Sequence, residues 1–277
     1  MKVSSRYGMH AERGSNSRAA AGAAWRSSRG MLIAAVLIVV AWELVARSSL
    51  FNDLLFPNIE TTAEAFWDLT SSGVMVSDTV ATLGRLILGF IIGASIGVLL
   101  GLVTGRLSVA EEMLIPLVLL LLPLPALALM PLLTIWFGVG GTATVILVAF
   151  SSALPVAVNT WGGVKGVKPL LIQAAESMRV RGRPLFRKVI LPASLPSVIT
   201  GLRIGLSTAW RAVIAGELIS AASSGLGIRL FSAREFLRTD RVFAVMIVIA
   251  VIGLLVERTV FIRIERATLV RWGMVSD

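Results

Sequence analysis

Six stretches of this chain are too long and too apolar to be left in water, and they limit the fold before any other feature does. Residues 31–46, 80–103, 113–137, 142–161, 195–219 and 242–261 consist largely of Leu, Ile, Val, Ala, Gly and Phe. Most approach or exceed the ~20 apolar residues that a helix needs to cross a bilayer. In lipid every backbone N–H and C=O must find its partner within the protein, and a helix does this locally. Composition agrees: 56% of the residues are hydrophobic and 15% charged, against about 25% charged in soluble domains. The predicted fold class is therefore an all-α integral membrane protein with six transmembrane helices.

A net charge of +10 would suit a nucleic-acid binder, but the basic residues lie in the gaps between apolar runs. Lys2, Arg6, Arg13, Arg18, Arg26 and Arg29 stand against Glu12 in residues 1–30, which read as a disordered basic tail. Arg106 follows the second run, and Lys165, Lys168, Arg179, Arg181, Arg183, Arg187 and Lys188 fill the gap 162–192. The intervening gaps are acidic (Asp53, Glu60, Glu64, Asp68, Asp78), uncharged or mixed, as in the loop 220–241. Basic loops stay on the cytoplasmic side. Both termini and the 162–192 loop are predicted to lie there, and the partner implied by the charge is a bilayer, not nucleic acid. Glu43 inside the first run, and the spans that follow it, favour an uncleaved helix over a signal peptide.

Catalytic equipment is missing from the pattern. There is no cysteine, and the one histidine, His10, sits in the tail. No G-x-x-x-x-G-K-[ST], H-E-x-x-H or G-x-S-x-G sequence occurs. No enzyme activity, metal or cofactor is expected in this chain.

Three local patterns mark the spans. Gly89, Gly93, Gly97, Gly101 and Gly105 recur every fourth residue, a smooth face on which another helix can pack closely. Pro116, Pro123, Pro125 and Pro131 interrupt the third run, and a helix broken at membrane depth often lines a pathway. Pro123 and Pro125 are candidate pathway residues, with Trp210, Arg211 and Glu217 of the fifth run. Arg211 falls near mid-membrane by residue count, where a cation must face water or a counter-charge. It either attracts an anionic headgroup in the pathway or pairs with Glu217 or Glu43.

The gap 162–192 holds one helical pattern of its own. Leu170, Leu171, Ala174, Ala175 and Met178 form an apolar stripe, and Pro169 suits a first helical turn. Gly182 and then Pro184 read as a turn and a second helix entry. A short amphipathic helix with a free apolar face, hung between two spans, reads as a lever moved by a partner.

Gln173-Ala174-Ala175, with Val189-Ile190-Leu191-Pro192 downstream, resembles the loop signature Glu-Ala-Ala-x3-Gly-x9-Ile-x-Leu-Pro of ABC importer permeases. Gln173 replaces the Glu, and Arg179 replaces the Gly, so the turn is expected to move to Gly182. Phe56-Pro57, Ala65-Phe66-Trp67, Trp136-Phe137-Gly138, Asn159-Thr160-Trp161-Gly162, Gly216-Glu217-Leu218-Ile219, Ala233-Arg234-Glu235-Phe236-Leu237, Thr239-Asp240, Ile264-Glu265-Arg266 and Arg271-Trp272 extend the likeness. Together they are similar to the nitrate/sulfonate/taurine branch of that family, most of all to aliphatic-sulfonate permeases.

The resemblance implies a type I importer fold: a transmembrane domain over 31–272, with its core at 78–262 and a coupling loop at 162–192, followed by a short tail at 273–277. It implies a multi-pass protein of the bacterial inner membrane working as a homodimer. Two cytoplasmic ATPase subunits would hold ATP and Mg, and an extracytoplasmic binding protein would deliver the solute. Gln173, Ala174, Ala175, Glu176, Leu191 and Pro192 would belong to the ATPase-coupling element, with Gly182 at its turn. Met178, Leu185 and Phe186 would fill the ATPase groove, with Arg179, Arg181 and Arg183 meeting acids at its rim. An aliphatic sulfonate or taurine is the expected solute; nitrate, bicarbonate or a nitrogenous ring compound is the alternative. A gradient-driven secondary anion transporter would need titratable groups in the spans, and only Glu43, Glu217 and Glu257 are available.

Overall fold

The computed structural model describes residues 30, 33–34, 36–48, 52, 54–220 and 222–265. The basic tail, the start of the first apolar run and the C-terminal tail lie outside the described residues. The described residues fall into two compact units, divided between Ala63 and Glu64. In the first, helix α1 is described over Val36–Ala46. Its Trp42 Nε1 donates to the Pro57 carbonyl at 2.9 Å. The Glu43 carboxylate pairs with Arg47 and accepts the Ile59 N–H. Helix α2 (Ile59–Ser71) follows, where an acidic loop was expected.

The second unit continues with α3 (Val74–Arg106), α4 (Ser108–Leu121), a 3-10 turn (Ala126–Leu129), α5 (Met130–Phe137) and α6 (Gly141–Lys165). Then come α7 (Pro169–Ser177), α8 (Arg183–Leu185), a π turn (Phe186–Ile190), α9 (Leu191–Glu217), α10 (Leu226–Glu235) and α11 (Thr239–Glu265). Among the described residues there is no strand. Four helices are long and apolar enough to cross a membrane: α3, α6, the continuous run Arg183–Glu217, and α11. The α4–α5 pair, bent by 95° at its break, makes a fifth if it counts as one span. Among the described residues six complete spans are thus not seen: part of the first run lies outside them, and prolines break the third.

Three long helices make the core. The glycine strip of α3 lies against α6: a Cβ at Gly97 would stand 2.6 Å from the Ala153 carbonyl, and one at Gly105 2.6 Å from Val164 Cβ. Gly89 meets Val148, Gly93 meets Ala149 and Ser152, and Gly101 meets Thr160. Only hydrogen side chains permit this approach, so dispersion between the two backbones replaces a hydrophobic drive that lipid does not supply. On an adjoining face of α6, Gly201, Gly205 and Gly216 of α9 do the same against Val156, Asn159, Ser152, Thr144 and Leu147. Leu86, Met130, Leu147, Val148, Leu206 and Val213 fill the space between.

Candidate functional site

Helix α7 begins at Pro169 and ends through its own backbone. The Val180 N–H donates to the Ala175 carbonyl at 3.0 Å and the Arg179 N–H to that of Glu176 at 2.9 Å. This pair is the Schellman arrangement, in which the residue after the cap takes the left-handed conformation. That residue is Arg179, at φ 61°. The turn therefore stays at the position where the resembling loops carry glycine and is not displaced to Gly182, correcting the sequence expectation. An L-residue in that conformation costs roughly 1–2 kcal/mol. Gly182, at φ 63° and ψ −129°, makes a second reversal that only glycine adopts readily. Helix α8 starts directly after it with Pro184 in its first turn.

The apolar side chains that α7 leaves uncovered are Leu170 (73% exposed), Leu171 and, at its C-cap, Met178 (78%). Gln173, Ala174, Glu176, Arg179, Arg181, Gly182 and Arg183 are exposed with them, while Ala175, Leu191 and Pro192 are half-buried. Leu185 and Phe186, expected to fill a partner's groove, are half-buried within the chain itself. The Arg106 guanidinium lies 5.1 Å from the centre of the Phe186 ring, a cation–π contact that ties the π turn to the end of α3. Nearby, Glu111 of α4 pairs with Lys165 at 2.5 Å and accepts Trp161 Nε1–H at 3.0 Å. The loop's base is thus fastened to the bundle, and its tip is free.

The candidate pathway residues do not form one group. Pro123 and Pro125 are exposed in the break between α4 and the 3-10 turn. Trp210 is half-buried, with its indole Nε1 against Gly253 of α11. Arg211 is exposed, and its Nε–H donates to the Ser207 carbonyl at 3.3 Å. Glu217, expected to line the pathway, is only 1% exposed and sealed in the bundle. Its Oε1 accepts from Arg85 at 2.5 Å, so Glu217 is not the partner of Arg211.

Around Glu217 a clasp is built that the sequence reading did not contain. The other oxygen, Oε2, accepts the Gly227 N–H at 2.9 Å, and the Thr82 hydroxyl donates to the carboxylate at 2.9 Å. The Thr82 oxygen accepts the Leu226 N–H at 2.9 Å. Asp78 accepts the Gly225 N–H at 2.9 Å and Arg229 Nε–H at 2.7 Å. Three side chains from α3 and α9 thereby cap the first N–H groups of α10, where the helix dipole favours negative charge. Two acids and two arginines balance. Glycine is required at 225 and 227 because a Cβ at either would lie 2.6 Å from Glu217. The available signal was Asp78, Thr82 and Arg85 at i, i+4 and i+7, one polar face at the head of an apolar run.

The close-packed bundle of long apolar helices, with its broken span and its fastened loop, is an all-α integral membrane fold. The chain belongs to the family described as binding-protein-dependent transport system inner membrane component, whose model matches residues 89–262. It is 37% identical over 220 residues to a protein of Escherichia coli named as an aliphatic sulfonates transport permease, covering 79% of this chain and 83% of that one. It is 36% identical over 242 residues to the E. coli taurine transport system permease protein, covering 84% and 87%. Its fold matches an amino acid ABC transporter at a TM-score of 0.60 and 21% identity, covering 72% of this chain and 96% of that one. An inward-facing MetNI methionine ABC transporter matches at 0.56 and 21%, covering 74% and 98%.

Proposed function

We propose that two copies of this chain line one solute pathway, that two cytoplasmic ATPase subunits each receive α7 in a surface groove, and that an extracytoplasmic binding protein delivers the solute. The observation that carries this is the exposed apolar edge Leu170, Leu171 and Met178 on a short helix whose ends are fixed and whose loop is anchored by Arg106–Phe186. A face so apolar is costly in water and fits a groove. The basic residues of 162–192 support a cytoplasmic position for that face, and those of the two tails support the same side of the inner membrane for both termini. With no phosphate-binding loop here, ATP and Mg belong to the partners. Closure of the ATPase pair moves both levers and biases the dimer from inward-facing to outward-facing; hydrolysis reverses the bias. The likeness to permeases named for aliphatic sulfonates and taurine supports a small alkylsulfonate as the solute.

Replacing Leu170→Asp together with Met178→Asp tests the coupling. Each apolar side chain is worth about 1.5–3 kcal/mol when buried, so the pair should weaken co-purification of the ATPase roughly a hundredfold or more. Uptake of ethanesulfonate into vesicles should be abolished while the variant inserts normally. Unchanged co-purification and uptake would remove α7 from the coupling.

A further inference from the structure

One face of α9 is polar where a lipid-facing helix would not be. Thr200, Ile204, Ser207, Thr208 and Arg211 follow helical spacing; Thr200, Ile204 and Arg211 are exposed, and Ser207 and Thr208 half-exposed. Packing against α6 gives the depth. Gly205 meets Ser152 and Val156, and Gly216 meets Thr144 and Leu147, so Arg211 falls between those levels, close to the middle of Gly141–Lys165. The neighbouring cation Arg203 is on a different footing: it lies 3.5 Å from Glu257 of α11. For Arg211 no ion pair with a carboxylate occurs among the described residues. Glu217 is taken by Arg85, and Glu43 by Arg47.

An exposed cation at mid-depth cannot be left against hydrocarbon. We infer that the Thr200–Arg211 face of α9 is an anion-binding station within the solute pathway, with Arg211 as its donor. The chemistry is specific. Thr200 and Thr208 donate their hydroxyl protons to their own helix, to the Pro196 and Ile204 carbonyls at 3.0 and 2.8 Å. Arg211 spends only Nε–H on the Ser207 carbonyl. Its terminal N–H groups form the planar fork that matches two oxygens of a sulfonate, phosphate or carboxylate. The station therefore contributes selection for anions inside the membrane. It rests on the importer reading above and adds to it a residue that discriminates by charge.

The absence of cysteine from the chain gives a clean test. In the assembled transporter, permease with ATPase and binding protein in phosphatidylcholine vesicles, Thr208→Cys is exposed to anionic sulfonatoethyl and cationic trimethylammonioethyl methanethiosulfonate. The anionic reagent should react roughly tenfold faster or more, the effect of one nearby charge in a shielded site. Adding Arg211→Gln should erase that preference, Arg211→Lys should keep it, and ethanesulfonate should slow the reaction. Arg211→Gln alone should lower ethanesulfonate uptake about tenfold or more, the loss of a charge-assisted hydrogen bond. Failure to react with either reagent, equal rates with both, or slowing by added phosphatidylglycerol but not by ethanesulfonate would each overturn the station; the last would mean that Arg211 holds a lipid headgroup. If the ATPase does not co-purify with the unmodified permease, the importer reading falls instead, and the charge preference at position 208 is still measured on the permease alone.

Discussion

The clasp at the head of α10 and the lever around α7 face the same problem: a short helix between two long ones with backbone groups to satisfy. They resolve it oppositely. At α10 the N–H groups of residues 225 to 227 are taken by Asp78, Thr82 and Glu217, all fully buried and the first two brought from α3, far away in sequence. At α7 the carbonyls of Ala175 and Glu176 are taken by the next turn of the chain, which forces Arg179 into a left-handed conformation. The clasp also covers its own polar groups, whereas α7 and its C-cap leave Leu170, Leu171 and Met178 bare. One region is finished within a single chain. The other keeps an apolar edge exposed.

The largest effect expected from breaking this contrast comes at Glu217. Glu217→Ala strands the half-buried Arg85, the Thr82 hydroxyl and the Gly227 N–H, and removing one partner of a buried pair costs about 3–5 kcal/mol. Thermal unfolding of the detergent-purified protein should fall accordingly; a loss below about 1 kcal/mol would mean that water reaches the site and relieves it. An intermediate effect is expected at Gly182, where Gly182→Ala puts a Cβ on a backbone that only glycine favours, at about 1–3 kcal/mol. Because the loop stands apart from the core, the change should appear as faster amide exchange across residues 169–190 with little shift in global unfolding. The smallest effect has the opposite sign. Arg179→Gly relieves the left-handed arginine, and after the entropy that glycine adds to the unfolded chain a local gain of up to about 1 kcal/mol remains. Slower exchange of the Arg179 and Val180 N–H groups would register it, and faster exchange would mean that the Arg179 side chain holds the turn.

Much of this was legible before any coordinates. The spacing of apolar residues marks where the long helices lie; α6, expected at 142–161, runs Gly141–Lys165, whereas α3, expected from 80, begins at Val74. The larger misses have causes. Residues 220–241 read as a loop because α10 is short, mixes charged with apolar residues and is held by side chains brought from α3 and α9. Asp78 read as a loop acid, yet α3 begins at Val74 and carries Asp78 inward, because Arg229 and the Gly225 N–H meet it there. Phe186 read as a free docking residue, and Arg106, eighty positions earlier, occupies its ring face.

Local rules account for the division. Period, proline and glycine act through neighbours within a few residues, so the chain's own order determined the helices, the glycine face of α3, the break at Pro123–Pro125 and the amphipathic α7. Which helix lies on that glycine face and which base neutralises Glu217 depend on residues dozens to more than a hundred positions away. Those pairings were decided only when α3, α6 and α9 packed. A buried charge accepts whatever partner the fold brings within hydrogen-bond reach, and sequence distance carries no record of that reach.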